Sequence, residues 1–458
     1  MIENDAFKLL LINLFHLNPD DIANIFCTTF NKMMVLIVTL ADKHQACPYC
    51  GFTAPKIKEY VTKEITHSAL TTQKCIIKYR ARRYKCPCCG KTYYEFNPFV
   101  FKSQKISILT VHNILKDLKD FNETFTSVAR RYHVSPTSVS TIFDNHVDIG
   151  RNPLPEIINF DEVYAFKSEK SKYVCVLLDF KKQIPVDVLP NRKKEYLLNY
   201  FQKIPLEERK KVKYACSDMY EVYRDVVHKV FPCSCMLLDY FHLSQDFHRK
   251  MNEVRIKVMK GYKDDKASDE YYLLKKFNWL LFKNPEDEDK YGRLFDVERE
   301  RKYNSHFKSY MNYYDLRRKL LEINNDLTIS YSLKLELVDF YSKSTIDNAQ
   351  VNLENLIRNC IDTNIEEMIA FSNNLINWKQ EIINSFTIVG TEYKVEADKG
   401  QVVVCNKKVN NAIIENRNKI IKCIKNNANG YTNWSRFRNR VMYVLDPNTT
   451  FSLEPREK

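Results

Sequence analysis

PEIINFDEVYAF, residues 155–166, is the stretch on which the fold turns. Ile157, Ile158 and Phe160 make the apolar run of a buried strand, and Asp161 and Glu162 then place two acids where such a strand should stay apolar. Downstream, KYVCVLLDF (172–180) and IPVDVLP (184–190) read as a strand hairpin and NRKKEYLLNYFQKI (191–204) as a basic helix. VKYACSDM (212–219) is a strand, EVYRDVVHKVF (221–231) a helix, and CSCMLLDYFHL (233–243) a further strand. Three strands, helix, strand, helix, strand predicts an α/β sheet of the ribonuclease-H-like kind. Strands one and four are neighbours in that order, so Asp161 and Asp218 are expected side by side. Two unpaired carboxylates so placed repel, and one is driven toward protonation unless divalent cations sit between them.

A third acid is needed to complete such a site, and NNAIIENRNKIIKCIK (410–425) offers it. This reads as a helix with one carboxylate, Glu415, among Arg417, Lys419, Lys422 and Lys425. Ile413, Ile420, Ile421 and Ile424 are expected to pack it on the sheet. Positions 415, 418 and 422 share a face, which places Asn418 and Lys422 beside the acid as candidates to hold metal-bound groups or the DNA backbone. Asp161, Asp218 and Glu415 would then hold a pair of Mg2+ (or Mn2+) ions, ~3.5–4 Å apart in sites of this kind, for an in-line phosphoryl displacement. Asp239 and His242, in LLDYFH, are expected to support these ligands from behind. Asp179 and Asp187 flank the hairpin turn, where a surface position is expected. The plainer readings are a polar strand end for Asp161, a helix cap for Asp218 and a solvated helix face for Glu415.

The N-terminal part carries a different signature. CPYCGF (47–52) and RYKCPCCGK (83–91) each hold a Cys-x-x-Cys pair followed by glycine. Cys47, Cys50, Cys86 and Cys89 thus suit one tetrahedral four-thiolate Zn2+ site, with Gly51 and Gly90 free to take the positive φ that tightens each knuckle. KEYVTKEITH (58–67) and QKCIIKYRARRYK (73–85) are candidate strands between the pairs. Cys88 is a spare thiol, and Cys75 with His67 or His44 is the alternative ligand set. After a first helix within 98–120, with Ile106, Leu109, Ile114 and Leu118 inward, NETFTSVARRYHVSPTSVSTIFDNHVD (122–148) has helix-turn-helix punctuation. Thr124 or Thr126 caps one short helix, Tyr132 to Val134 turns, and Ser135-Pro136 opens the second. Val128, Ala129, Val134, Val139 and Ile142 would be buried, leaving Thr137, Ser138, Thr141 and Asn145 for DNA edges. A plain helical hairpin has similar spacing.

The 458-residue chain exceeds the size of a single hydrophobic core, and its 44% hydrophobic content excludes general disorder. Its 71 Lys+Arg against 57 Asp+Glu, a net charge of +14, favours a polyanionic partner. The apolar run MMVLIVTL (33–40) is too short for a membrane span and lacks signal-peptide flanks, so a reduced, cytoplasmic setting is expected for the 14 cysteines.

Taken together, CPYCG with CPCCGK, NFDEVYAFK, SDMYEVYRDVVHKVFPCSCMLLDYFHL, and the 410–425 helix followed by GYTNWSRFRNRV resemble the ISL-three family of bacterial insertion-sequence transposases. Asn416 departs from the small residue expected after the acid. The resemblance implies a multi-domain α+β protein: a zinc ribbon in 1–100, a helix-turn-helix in 101–150, and a ribonuclease-H-like catalytic core in 151–245 and 406–458. Residues 246–405 would be a large helical insertion, in which Phe277, Trp279, Tyr313 and Tyr314 are core, one of them otherwise stacking on an unpaired base. It further implies a DDE catalytic triad of Asp161, Asp218 and Glu415, Mg2+ and Zn2+ as cofactors, and double-stranded DNA (terminal repeats and target) as partner. A homo-oligomer on DNA, on the bacterial nucleoid and without membrane contact, is implied as well. The alternatives are a DNA-binding regulator without chemistry and a nuclease that only hydrolyses.

Overall fold

The computed structural model describes residues 2–43, 46–53, 55–68, 70, 72–101, 104–166, 171–395 and 402–456. The chain opens with helix α1 (Ile2–Leu14) laid on a sheet of β1 (Ile22–Phe30), β2 (Met33–Leu40), β3 (Lys56–Thr66), β4 (Cys75–Lys85) and β5 (Thr92–Tyr94). Asn31 and Lys32, both at positive φ, make the tight β1–β2 hairpin. The order is β1-β2-β4-β3. Along one edge of β4, β2 pairs in parallel with Cys75 to Tyr79 and β5 antiparallel with Arg83 to Lys85. The apolar run at 33–40 is thus a sheet strand that buries Leu36 and Val38 beneath α1.

Three helices follow: α2 (Ile108–Asp117), α3 (Phe125–Arg131) and α4 (Pro136–His146). Thr124 and Ser127 form a capping box on α3, and Ser135 caps α4 with Pro136 in its first turn. His133, at φ 54, makes the bend between them. Val128, Ala129, Val139 and Ile142 are buried as expected, with Val134 half-buried. Three short helices cannot enclose a core alone. Theirs is continuous with the central sheet and the last two helices of the chain.

The central sheet comprises β6 (Ile157–Val163), β7 (Val174–Asp179), β8 (Ile184–Leu189), β9 (Tyr214–Ser217) and β10 (Cys235–Leu238), in the order β10-β9-β6-β7-β8. β6, β7 and β8 are antiparallel neighbours, whereas β9 runs parallel to both β6 and β10. Helices α5 (Lys194–Gln202), α6 (Leu206–Arg209) and α7 (Glu221–Val230) form the β8–β9 and β9–β10 connections. Alternation divides the strands: Ile158, Phe160, Cys175 and Leu177 face the core shared with α5 and α7. Val163, Val174, Val176 and Leu178 face the opposite core. Asp161 has the parity of Val163 and therefore lies on that second side.

From β10 the chain enters α8 (Tyr240–Lys260) and then α9 to α14 (Asp269–Lys276, Tyr313–Glu322, Asn325–Lys343, Ala349–Asp362, Glu366–Asn377 and Lys379–Asn384). These helices enclose their own apolar cluster. The helical layer begins inside the DYFHL segment, earlier than residue 246, because Tyr240 already starts α8. Two short hairpins (Glu288–Asp289 with Gly292–Arg293, and Lys302–Asn304 with Ser309–Met311) interrupt it, and an unforeseen one, Ile388–Val395 with Val402–Lys408, leads back to the sheet. The chain ends in α15 (Ala412–Asn427) and α16 (Trp434–Leu445). Buried Arg440 of α16 donates to Asp120 O and Glu123 O at 2.8 Å each, and Arg436 pairs with Asp144 at 2.6 Å. The C-terminal helix thereby clamps α2–α4 to the sheet.

Asp179 and Asp187 do not lie at the surface. Asp179 is buried and accepts from the N–H groups of Lys181 and Lys182. Asp187, 4% exposed, is bound by Arg438 at 2.7 Å and by Tyr200 Oη at 2.7 Å. Asp187 is drawn inward because α16 and α5 bring donors that the local pattern cannot reveal, whereas Asp179 is held by the N–H groups of its own turn.

Candidate active site and metal centres

Register sets the acids at one level. Asn159 pairs with Cys216 across β6 and β9, so Asp161 and Asp218, each two residues further on, end equivalent positions of parallel neighbours. Leu238 pairs with Ser217 across β10 and β9, which brings Asp239 level with Asp218. Asp161, inside β6, thus stands level with Asp218 and Asp239 just past the carboxyl ends of the parallel strands β9 and β10, the usual side for ligands in open α/β sheets.

Helix α15 supplies the fourth. It crosses β6 with Ile414, Asn418, Ile421 and Ile424 buried. The buried stripe is thus rotated from the expected one: Ile413 and Ile420 are half-buried, and polar Asn418 takes a core position because Asp161 faces it. Asn418 Nδ2 donates to Asp161 Oδ2 at 2.8 Å. The helix start is pinned by Asn411, whose N–H donates to Asp239 Oδ1 at 3.3 Å and whose Oδ1 accepts from Asn159 Nδ2 at 2.7 Å. Glu415 follows in the first turn, half-buried. Its carboxylate, that of Asp239 and the His242 ring have ligand atoms within 4.8 Å of one another. Asp239 and His242, expected behind the ligands, thus stand beside Glu415, joined by a 3.0 Å hydrogen bond.

The cluster is short of positive charge. Burial, then the charge of Asp218 and of Glu415, pushes the Asp161 carboxyl up to about 7, against the pull of His242 and Asn418. Burial also raises Asp218, opposed by His242 and Arg192. Asp218 Oδ1 is buried without a hydrogen-bond partner. The hydrogen bond that His242 Nδ1 donates to Asp239 raises its imidazole above the ordinary value despite burial. Such a set fits divalent cations, whose charge and oxygen preference would satisfy the orphaned carboxylate oxygen.

Sequence reasoning missed Arg192, Asn159 and Asn411. Arg192 is ion-paired with Glu162 and lies between the rings of Tyr173 and Tyr220, 4.6 and 4.8 Å from their centroids. Asn411 makes no side-chain cap on α15; its amide is spent on Asn159 and Phe160 O of β6, a partnership that neither asparagine signals in the sequence.

The cysteines converge as expected. Gly51 and Gly90 have φ of 73° and 72°, and their N–H groups donate to Cys47 O and Cys86 O at 2.9 Å. The two knuckles face each other, with Cys47 Sγ 3.7 Å from Cys89 Sγ and Cys50 Sγ 3.5 Å from Cys86 Sγ. Zn–S bonds of ~2.3 Å in a tetrahedron require sulfur separations of about 3.8 Å, so the four thiols fit one zinc ion. Cys88 is exposed. Cys75 is buried in the sheet core, while His67 is spent on Phe15 O and Ser107 Oγ, and His44 lies outside the described residues.

On α4, Thr137 and Thr141 are exposed, and Ser138 is half-buried with its N–H held by the Ser135 cap. Lys422 is exposed on α15, whereas Asn418 is 5% exposed and engaged with Asp161. Among the described residues no helix is long and apolar enough to cross a membrane.

The family model for ISL-three DDE transposases, described as "Transposase", matches residues 158–397. That match starts in β6 and takes in Asp161, Asp218 and Asp239, with Glu415 beyond its end. The chain is also 19% identical over 409 residues to the transposase for insertion sequence element IS1001 of Bordetella parapertussis, covering 89% of this chain and 90% of that one.

Proposed function

This chain belongs to the ISL-three family of insertion-sequence transposases, and on that premise we propose that it cuts element ends and joins the freed 3′-hydroxyl to target DNA at Asp161, Asp218 and Glu415. The observation that carries this reading is the level placement of Asp161 and Asp218 on adjacent parallel strands, with the Glu415 helix held to Asp161 through Asn418. The strand order β10-β9-β6-β7-β8 supports a ribonuclease-H-like core in 151–245 and 406–458, with 246–405 as its helical insertion.

When bound at these acids, a pair of Mg2+ ions supplies Lewis-acid activation of the attacking hydroxyl and neutralises charge on the leaving oxygen. The protein's own part is positioning. Asn418 fixes the Asp161 carboxylate, Asn411 fixes α15 against β6, and Asp239 holds the His242 ring in one orientation beside Glu415. Arg192, restrained by Glu162 and two tyrosine rings, presents a cation close to Asp218 where a DNA phosphate would approach. Cys47, Cys50, Cys86 and Cys89 hold structural zinc in the 1–100 unit. The helix-turn-helix α3–α4, in the 101–150 unit, reads terminal-repeat DNA through Thr137, Ser138 and Thr141, and Lys422 meets its backbone. Two copies on paired ends, in the bacterial cytoplasm, complete the reading.

The test is metal-dependent strand transfer with full-length protein on element-end DNA. Asp161→Asn is expected to abolish joining while end binding persists. Joining that survives in the variant removes the catalytic assignment, and a wild type that binds ends yet joins nothing in Mg2+ or Mn2+ favours a regulator.

A further inference from the structure

Far along the helical layer, a cavity of 650 Å3 opens between α9, α10 and the two short hairpins. That is the size of a small-molecule site, roughly 300–1,000 Å3. Phe277 and Tyr313 belong to its lining and pack on the apolar cluster beneath. Trp279 and Tyr314 are not among its lining residues; Trp279 meets the edge of Tyr313 at 5.1 Å. Two further lining tyrosines are not core: Tyr291 is 66% exposed and Tyr303 58%. Tyr303 meets Tyr310 edge-to-face across its hairpin at 5.4 Å, and both it and Tyr291 still leave most of the ring open at the mouth of the cavity. Cations surround Tyr291, with Lys290, Lys302 and Arg299 at 4.7, 5.8 and 6.0 Å from its centroid. Arg299 is paired with Asp289 at 2.6 Å, but Lys302 has no ion-pair partner among the described residues. Flat exposed rings beside an unneutralised ammonium are the chemistry that receives a base and its phosphate.

The position suits that ligand. Arg255 of α8 donates to Leu274 O at 2.8 Å, and His248 meets the Phe282 ring at 5.4 Å, so Phe277 lies level with residues 248–255 of α8. Counted from Asp239 at ~1.5 Å per residue, that level is about 14–24 Å along the helix axis, or about 4–7 base-pair steps at ~3.4 Å each. We infer that this cavity takes an unpaired nucleotide of the DNA under reaction, its base stacked on Tyr291 and Tyr303 and its phosphate met by Lys302. This rests on the transposase reading above and adds to it a site for melted DNA.

Anisotropy titrations with full-length protein compare two dye-labelled probes of one sequence: a blunt duplex, and the same duplex with three unpaired nucleotides in one strand. Stacking of this kind predicts about 5- to 150-fold tighter binding of the bulged probe. Tyr291→Ala with Tyr303→Ala should bring the two probes to parity with blunt-duplex affinity unchanged, and Tyr291→Phe with Tyr303→Phe should keep the preference. Both side chains are exposed, so melting temperatures should match wild type. Equal wild-type binding of the two probes, a preference that survives the double alanine variant, or equal loss on both probes overturns the inference. Absence of binding to either probe instead refutes the DNA-binding reading on which it rests.

Discussion

Replacing Asp161 by Asn should make the metal-free protein more stable while it abolishes strand transfer. Asp161 is 9% exposed, and its carboxyl is held up to about 7 from an ordinary 3.8, first by burial and then by Asp218. A raised carboxyl favours folding below the unfolded value, and that advantage is lost as pH climbs from about 4 through about 7. A rise of about 3 at ~1.36 kcal/mol each makes the ionised group cost about 4 kcal/mol at pH 8 and about 1.5 kcal/mol at pH 5. Asparagine removes the charge at little cost in hydrogen bonds. It can accept from Glu162 N as Asp161 does at 2.7 Å, and a flipped Asn418 would turn its own unpartnered Oδ1 toward the new amide. The expected gain at pH 8, at ~1–2 °C per kcal/mol for a chain of 458 residues, is roughly 4–8 °C in melting temperature, falling to about 2 °C at pH 5. Scanning calorimetry in magnesium-free buffer reads it, with no chelator present so that the four-thiolate site keeps its zinc. Added Mg2+ should raise the wild type and leave the variant unmoved. A variant no more stable than wild type at pH 8, or one whose gain is equal at both pH values, refutes the electrostatic account.

Cys86→Ser should release the zinc of the N-terminal site, measured as less than one ion per chain by elemental analysis; full retention would mean another ligand set. Asn418→Ala removes a hydrogen bond to a buried carboxylate, worth about 1.5–3 kcal/mol, and should slow joining by about 10- to 100-fold with DNA binding unchanged. Apparent Mg2+ affinity should fall as pH drops below about 7, because a proton on Asp161 then competes with the ion; isothermal titration at pH 6 and pH 8 gives the comparison. Arg438→Ala removes the cation paired with buried Asp187, leaving it the Tyr200 hydroxyl and the Val188 N–H, and should cost about 3 kcal/mol in chemical denaturation.

Much of this protein was legible locally. The strands and helices of the central sheet follow from apolar runs and turn residues, and the caps at Thr124 and Ser135 from residues whose partners lie within three positions. The cysteine pairs announced their geometry for the same reason: a knuckle is a short-range object, closed by a glycine at positive φ. What the chain order could not carry was the meeting of distant surfaces. The hydrogen bond from Asn418 to Asp161 spans 257 positions, and it decides which stripe of α15 is buried. A helix read alone ranks Ile413 and Ile420 above Asn418, since hydrophobicity is a property of the residue while burial depends on what faces it. Arg192, the inward turn of Asp187 and the aromatic cavity likewise exist only through contacts among elements far apart in the chain. Composition and periodicity set which elements form; the three-dimensional packing alone set which polar groups they leave facing one another, and the site is made of those groups.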